Sequence, residues 1–321
     1  MPHLIGAPRR RLFVIGSFVE AHCWFVPRRP GSDESQQAST YVRECAGKGL
    51  AVALGAHRLG AAVDLLLAVG HDAAGDALLQ LLAQERLGAA YVHRLGPHSG
   101  QGCGLIDAQG DPAIAVYPGA NALLGERELL HARPCVEHAA VAYAQLEVPP
   151  PLAAQALRQA RAAGAVTVLN PSPWPGGVGC AGLLDAASIL VVNRGEAQCL
   201  LRSFGLAGAP DAAPPSSLWR QWPGGQWLVI TLGAQGCVAH ARGGALLRLP
   251  GYTVRAEQPV GAGDAFSAGL CAALAHGQPM AQALAMANAC GALAASRGGI
   301  LSTLPCMAEV QTLLDGKTAT G

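Results

Sequence analysis

Short runs of β-forming apolar residues alternate along this chain with longer Ala- and Leu-rich stretches at helical spacing. Leu12–Gly16 precedes 50–60, Asp64–Val69 precedes 73–87, and Ala140–Leu146 precedes 150–163. Val166–Leu169, Ile189–Val192 and Leu228–Thr231 follow, ahead of helical patterns near 264–276 and 280–296. Parallel strands need a crossover between them, usually a helix, so this rhythm predicts an α/β fold: a mostly parallel sheet covered on both faces. Ligands of such sheets sit beyond the carboxyl ends of the strands. Two stretches break the rhythm, about 19–45 and 91–117, both rich in β formers and turn residues and without a helix of their own. They predict a small β sheet projecting over the site as a lid. Pro- and Gly-rich segments at 171–179 and 207–225 read as surface loops.

Composition narrows the function classes. With 51% hydrophobic and 13% charged residues over 321 positions, the chain is globular and buries a sizeable core. A formal net charge of +1 excludes a broad nucleic-acid surface. The ten cysteines contain no C-x-x-C and the ten histidines no H-E-x-x-H, which reads as reduced thiols in a cytoplasmic protein and not as a disulfide scaffold or zinc site. The Ala-rich stretch 281–295 is interrupted by Gln282 and Asn288 and is too short to span a bilayer, so no membrane partner is expected. Arg9-Arg10-Arg11 resembles a twin-arginine signal only faintly, because no cleavage site follows; it reads as a basic lead-in to the first strand.

One segment carries chemistry by itself. In Val260-Gly261-Ala262-Gly263-Asp264, three small residues open a helical run. Amides at a helix start have no internal partner and sit at the positive end of its dipole, so the turn suits an anion such as phosphate. Asp264 would repel that anion unless it has a task such as taking a proton from an attacking hydroxyl. Asp also caps helices well, and this segment alone leaves cap and base open. Lys48 adds to the picture: of 22 basic residues only Lys48 and Lys317 are lysines, and Lys48 lies on the Gly-flanked turn Ala46-Gly47-Lys48-Gly49. A compact ammonium there suits an anion or hydroxyl, although an exposed loop lysine is the plain alternative. Gly49 follows Lys48 where a Walker A loop has Ser or Thr, and Gly100–Gly104 does not open a helix after a first strand, so neither common nucleotide fingerprint is present.

Further segments fall at strand ends: Gly70-His71-Asp72-Ala73-Ala74-Gly75, Asn170-Pro171-Ser172-Pro173, Asn193-Arg194-Gly195-Glu196 and Thr231-Leu232-Gly233-Ala234-Gln235-Gly236. With Tyr117-Pro118-Gly119-Ala120-Asn121 and the Lys48 turn, this ordered set resembles the ribokinase-like carbohydrate kinases, the phosphofructokinase-B superfamily. The resemblance covers about residues 12–315 as one domain, with lid segments 19–45 and 91–117, a lead-in over 1–11 and a tail over 316–321. It implies a three-layer α/β/α sandwich with a mostly parallel central sheet and a small β lid, and ATP-dependent phosphorylation of a sugar-like hydroxyl; the exposed lid sheet itself, whose unpaired edges and apolar faces seek cover, points to a homodimer through the lid. The resemblance further implies Asp264 as the base and Gly261, Ala262 and Gly263 as the anion hole. Gly47, Lys48 and Glu147 would face the acceptor with Asp264. Thr231, Gly233 and Gly236 would form the nucleotide-phosphate loop, with Asn288 on the helix beside the adenine. Asn193 and Glu196 would hold Mg2+ and its waters, unless they only cap the helix they open.

The chain also departs from that pattern. Val19, Ala21 and Ala51 stand where the family places sugar-gripping polar side chains. Glu20 does not replace them, since neighbouring strand residues face opposite ways. Three lost hydrogen bonds, each worth roughly 0.5–1.5 kcal/mol net, weaken ribose binding by about two to three orders of magnitude. Gln258-Pro259 replaces an Asp-Thr whose carboxylate would help bind activating K+, although Arg297 and Ser302 match that region. A nucleoside kinase is the alternative enzyme, with Trp24 and Phe25 near a ring-bearing acceptor unless they serve lid packing or a dimer contact. A catalytically silent ligand-binding protein on the same scaffold is the alternative outside enzymes.

Overall fold

The computed structural model describes residues 10–110, 112–174, 180–209, 214, 216–255, 257 and 260–316. Most of the basic lead-in, the tail from Lys317, and Gln258-Pro259 with its potassium expectation lie outside them, as do parts of segments 171–179 and 207–225.

The strands are β1 (Arg11–Ile15), β2 (Val19–Phe25), β3 (Thr40–Ala46), β4 (Ala62–Val69), β5 (Val92–Arg94), β6 (Gly100–Ile106) and β7 (Pro112–Tyr117). They continue with β8 (Val141–Gln145), β9 (Val166–Asn170), β10 (Ile189–Asn193), β11 (Trp227–Thr231), β12 (Cys237–Ala241) and β13 (Leu246–Leu249). The helices are α1 (Lys48–Arg58), α2 (Ala73–Gln84), α3 (Glu126–His131), α4 (Arg133–His138), α5 (Pro150–Ala162) and α6 (Cys180–Leu184). After them come α7 (Arg194–Ser203), α8 (Ser216–Gln221), α9 (Ala262–Ala275), α10 (Met280–Ala295) and α11 (Met307–Leu314).

Nine strands form the large sheet in the order β13-β12-β11-β10-β9-β8-β1-β4-β5. Pairs from β5 to β11 are parallel, and β12 and β13 extend the edge antiparallel. Alternation along β1 shows the three layers directly, because Leu12 and Val14 enter one apolar cluster while Phe13 and Ile15 enter the other. Helices α9 and α10 pack closely: a Cβ on Gly269 would come within 2.9 Å of Ala287 Cα. From β1 the chain steps to β4 on one side and later returns to β8 on the other, so the crevice at the carboxyl ends of β1 and β8 is the switch point where ligands of open parallel sheets bind.

The small sheet runs β3-β2-β6-β7. Segment 91–117 splits between the sheets, since Val92–Arg94 pairs with β4 at the edge of the large one. Part of 207–225 is also no surface loop. Leu218 and Trp222 are fully buried, and Trp222 Nε1 donates to the carbonyls of Leu184 (2.8 Å) and Ala187 (3.0 Å). Two apolar anchors in a turn-rich stretch suffice to pull it into the core.

Candidate active site

Two glycines set the floor of the crevice. A Cβ on Gly16, at the end of β1, would collide with the Gly49 backbone, and one on Gly49 with the Gly16 backbone, so only glycine lets α1 start this close to the strand. The adjoining Ser17 and Gln145 are both fully buried. Gln145 Nε2 donates to Ser17 Oγ at 2.9 Å, and Ser17 Oγ donates to Glu147. The Lys48 amide donates to the same Glu147 oxygen at 3.1 Å. Gly47 caps α1, and Lys48 is its first residue.

Helix α9 brings its start to this floor. Gly261 is its N-cap, at φ +84° and ψ −10°, a left-handed conformation that a side chain strains. Ala262, Gly263 and Asp264 form the first helical turn, so Asp264 is not the cap that the sequence left open. A Cβ on Gly263 would meet nothing within 4 Å, so that side of the turn is uncrowded, and Ser267 Oγ donates to the Gly263 carbonyl at 3.0 Å. Burial pushes the Asp264 carboxyl up to about 6; the nearby Lys48 ammonium opposes that rise, while Glu147 and Glu196 add to it. Lys48 in turn is held above its usual value, chiefly by Asp264 and against its own burial. Sheet, α1 and α9 thus bring a carboxyl raised to about 6, its cation and the small-residue start of a helix together from three distant places in the chain.

The remaining site candidates have mixed roles in the structure. Asn193 caps α7: its Oδ1 accepts from the Glu196 amide at 2.9 Å, and its own amide donates to Glu196 Oε2 at 2.9 Å. The capping alternative is therefore realised, although Glu196 still lies within the field of Lys48 and Asp264. Among the described residues no group of three or more His, Cys, Asp and Glu could hold a metal by itself. Thr231 ends β11 beside Asn193, with Oγ1 3.4 Å from the Val192 carbonyl. The turn after it packs differently at its two glycines: Gly233 is open to solvent, whereas a Cβ on Gly236 would strike the Leu249 carbonyl. Arg194 donates to Gln235, joining the two loops. Asn288 is buried on α10, and its Nδ2 holds the Pro250 carbonyl at 2.7 Å.

The lid turns one face to this crevice. Val19, Ala21 and Ala46 pack with Ile300, and Glu44 Oε1 accepts from the Ile300 amide at 3.0 Å. Burial holds the Glu44 carboxyl above its usual value against the Ile300 and Leu301 amides. Trp24 and Phe25 part company, as strand neighbours must. Phe25 lines a cavity of about 890 Å3 with Val42, Ile106, Glu44, Glu257 and Ser302, among others. Trp24 stacks instead on His22 of the same strand and meets Tyr41 of β3 at a tilt, with ring centroids 6.1 and 5.3 Å away. Arg297, expected beside a potassium site, pairs with Glu309 of α11.

Other strand-end motifs prove architectural. Asp72 caps α2 and accepts from the Ser99 amide at 2.7 Å and its hydroxyl at 2.6 Å. Asn170 Nδ2 donates to the Val191 carbonyl at 2.8 Å. Asn121, fully buried, pairs with both backbone groups of Phe18, at 3.0 and 2.7 Å. It fixes the bend where the chain leaves β1 for the lid. Ser17 and Gln145 escape a reading of the sequence as functional, because a buried polar residue at a strand end is visible only once its partner, over a hundred residues away, is in place.

A family model described as pfkB family carbohydrate kinase matches residues 9–306. A ribokinase from Haemophilus influenzae is 26% identical over 308 residues, covering 96% of this chain and 99% of that protein. Ribokinase of Arabidopsis thaliana, solved with ribose and ATP, superposes with a TM-score of 0.81 at 22% identity, covering 96% of this chain and 99% of that one. A nucleoside kinase of Burkholderia thailandensis, solved with inosine, gives 0.81 at 22% identity, covering 96% and 97%. These solved structures share the fold described above.

Proposed function

The chain belongs to the pfkB family of carbohydrate kinases, and on that premise we propose that it moves the γ-phosphoryl group of ATP to a hydroxyl of a small sugar or sugar-like acceptor. The observation that carries this reading is Asp264, a carboxyl pushed up to about 6 beside the Lys48 ammonium and in the same first helical turn as the uncrowded Gly263. Asp264 takes the proton from the acceptor hydroxyl as that oxygen attacks. The amides of Gly261, Ala262 and Gly263, at the positive end of α9, hold the charge of the group in transit. Lys48 keeps Asp264 ionised, and Glu147, fixed by Ser17 and the Lys48 amide, orients the acceptor with Gly47.

Thr231, Gly233 and Gly236 receive the nucleotide phosphates, and Asn288 positions the 250 segment beside the base. The reciprocal cap uses one oxygen each of Asn193 and Glu196, leaving the second carboxylate oxygen of Glu196 for a water on a metal. That arrangement fits Mg2+ carried mainly by phosphates and water. When bound there, the ion neutralises phosphate charge.

Sheet edges at β3 and β7 and the exposed Tyr41, Ile114, Val116 and Tyr117 support a homodimer through the lid. Nine described cysteines are free, which fits a cytoplasmic home; among the described residues no helix is long and apolar enough to cross a membrane. A second reading, a nucleoside acceptor, is favoured by Phe25 at the lid cavity. Product formation from ATP across pentoses, hexoses, ketoses and nucleosides tests the kinase reading, and silence toward all of them returns the chain to a ligand-binding role.

A further inference from the structure

We infer that Tyr143 is a positioning residue for phosphoryl transfer, whose buried hydroxyl closes a hydrogen bond to Ser267 as charge builds at the start of α9 and so strengthens the anion hole; the inference rests on the kinase reading above. Tyr143 lies on β8 two residues before Gln145 and on the same side of the strand, so it stands one layer below the hydrogen-bonded floor. It is fully buried in the apolar cluster that it shares with Ala265, Phe266 and Leu270 of α9, and its hydroxyl has no hydrogen-bond partner. A buried phenol without a partner costs stability, and phenylalanine would fill the same space without that cost. Packing therefore does not explain the oxygen.

Ser267, buried as well, is the hydroxyl that acts on Tyr143 from α9. Its single proton is committed to the Gly263 carbonyl at 3.0 Å, so toward Tyr143 it can only accept. Burial, with Asp264 adding to it, drives the Tyr143 hydroxyl well above its usual value, so that group keeps its proton and is free to donate. Donor and acceptor are matched, and a small shift of the first turn of α9 joins them. The Gly263 carbonyl belongs to the same peptide unit as the Asp264 amide. The first bond within α9 runs from the Ala265 amide to the Gly261 carbonyl at 2.9 Å, which leaves the amides of Ala262, Gly263 and Asp264 without a partner inside the helix. Drawing electron density onto the Gly263 oxygen makes the Asp264 amide a stronger donor, because each bond in such a chain polarises the next. A chain from Tyr143 through Ser267 and Gly263 thus ends at the cradle. A bond that closes only as the phosphoryl charge arrives lowers the barrier, whereas one made throughout does not.

The test compares Tyr143→Phe, Ser267→Ala and the double variant with the wild type, by thermal unfolding without ligand and by ATP-coupled turnover of the acceptor used best among pentoses, hexoses, ketoses and nucleosides. Tyr143→Phe melts no lower than the wild type, because it loses an unpaired oxygen and no contact. Its kcat falls about three- to tenfold, the worth of one hydrogen bond made only in the transition state, while KM for ATP and for the acceptor stays within about twofold. In the Ser267→Ala background the same change alters kcat by less than about twofold, since the route to the cradle is already cut. A lower melting temperature with kcat unchanged makes the hydroxyl structural and overturns the inference. A loss of kcat of equal size in both backgrounds overturns it too, because the effect does not pass through Ser267. Either result leaves the kinase reading intact, whereas turnover of no acceptor by the wild-type protein overturns both.

Discussion

Floor and lid meet the same crevice with opposite chemistry. At the floor, Ser17, Gln145, Glu147 and the Lys48 amide form a continuous hydrogen-bonded chain, anchored on the ends of β1 and β8 and closed by the Gly16–Gly49 contact. At the lid, Val19, Ala21 and Ala46 touch the large domain through Ile300, with Glu44 on its amide. The floor therefore holds polar groups in fixed positions, as a transition state requires, while the lid offers area and little direction. On the proposed function, phosphoryl transfer and acceptor choice would fall to separable parts of one crevice.

The comparison breaks most readily at Asp264. Asp264→Asn should lower kcat by about 10²–10⁴ for every acceptor while ATP affinity, measured by calorimetry, stays within a few-fold. Near wild-type turnover would remove Asp264 as the base.

Lys48→Met should cost about ten- to a hundredfold in kcat. Its pH profile is the sharper reading. In the proposed role Asp264 acts as the carboxylate, so wild-type kcat should fall about tenfold per unit below a pH of about 6. Losing the cation that opposes burial raises the Asp264 carboxyl further, and the acid limb moves to higher pH. A limb that stays in place would show that Lys48 does not govern Asp264.

Gly49→Ala probes the floor as architecture. The added methyl meets the Gly16 backbone, and thermal unfolding should show a loss of about 1–3 kcal/mol. An unchanged melting temperature would mean that the close approach is not required.

Trp24→Ala should have the smallest effect. Its ring packs on Tyr41, on the opposite face of β2 from Phe25, so acceptor KM should stay within about twofold. A tenfold rise in KM would reverse the assignment of the two lid faces.

Much of this was legible without coordinates. The β1, β8, β9, β10 and β11 runs and the α1, α5, α9 and α10 patterns lie within a few residues of their expected places, because burial on both faces of a parallel sheet writes unbroken apolar strands. The antiparallel β12 and β13, the Trp222 anchor and the transfer of Val92–Arg94 to the large sheet were not legible. Each depends on a partner distant in sequence, and a three-residue strand has no period to read. At the site, Asp264 with its glycines was conspicuous, since a carboxylate in an anion cradle is chemically odd. Asn193 and Glu196 were ambiguous because one spacing serves both a capping box and a metal site, and the cap is what the fold displays.

By itself the sequence determined the alternating fold and the family, and it singled out the Gly261–Asp264 turn, since periodicity and local turn chemistry act over a few positions. Only the tertiary structure decided that Asp264 stands beside Lys48 with its carboxyl raised to about 6, that Ser17 and Gln145 brace Glu147, and that Phe25 rather than Trp24 lines the cavity at the lid. A carboxyl's proton affinity is set by desolvation and by charges across space, and a strand's facing by what packs against it; neither is a property of neighbours along the chain.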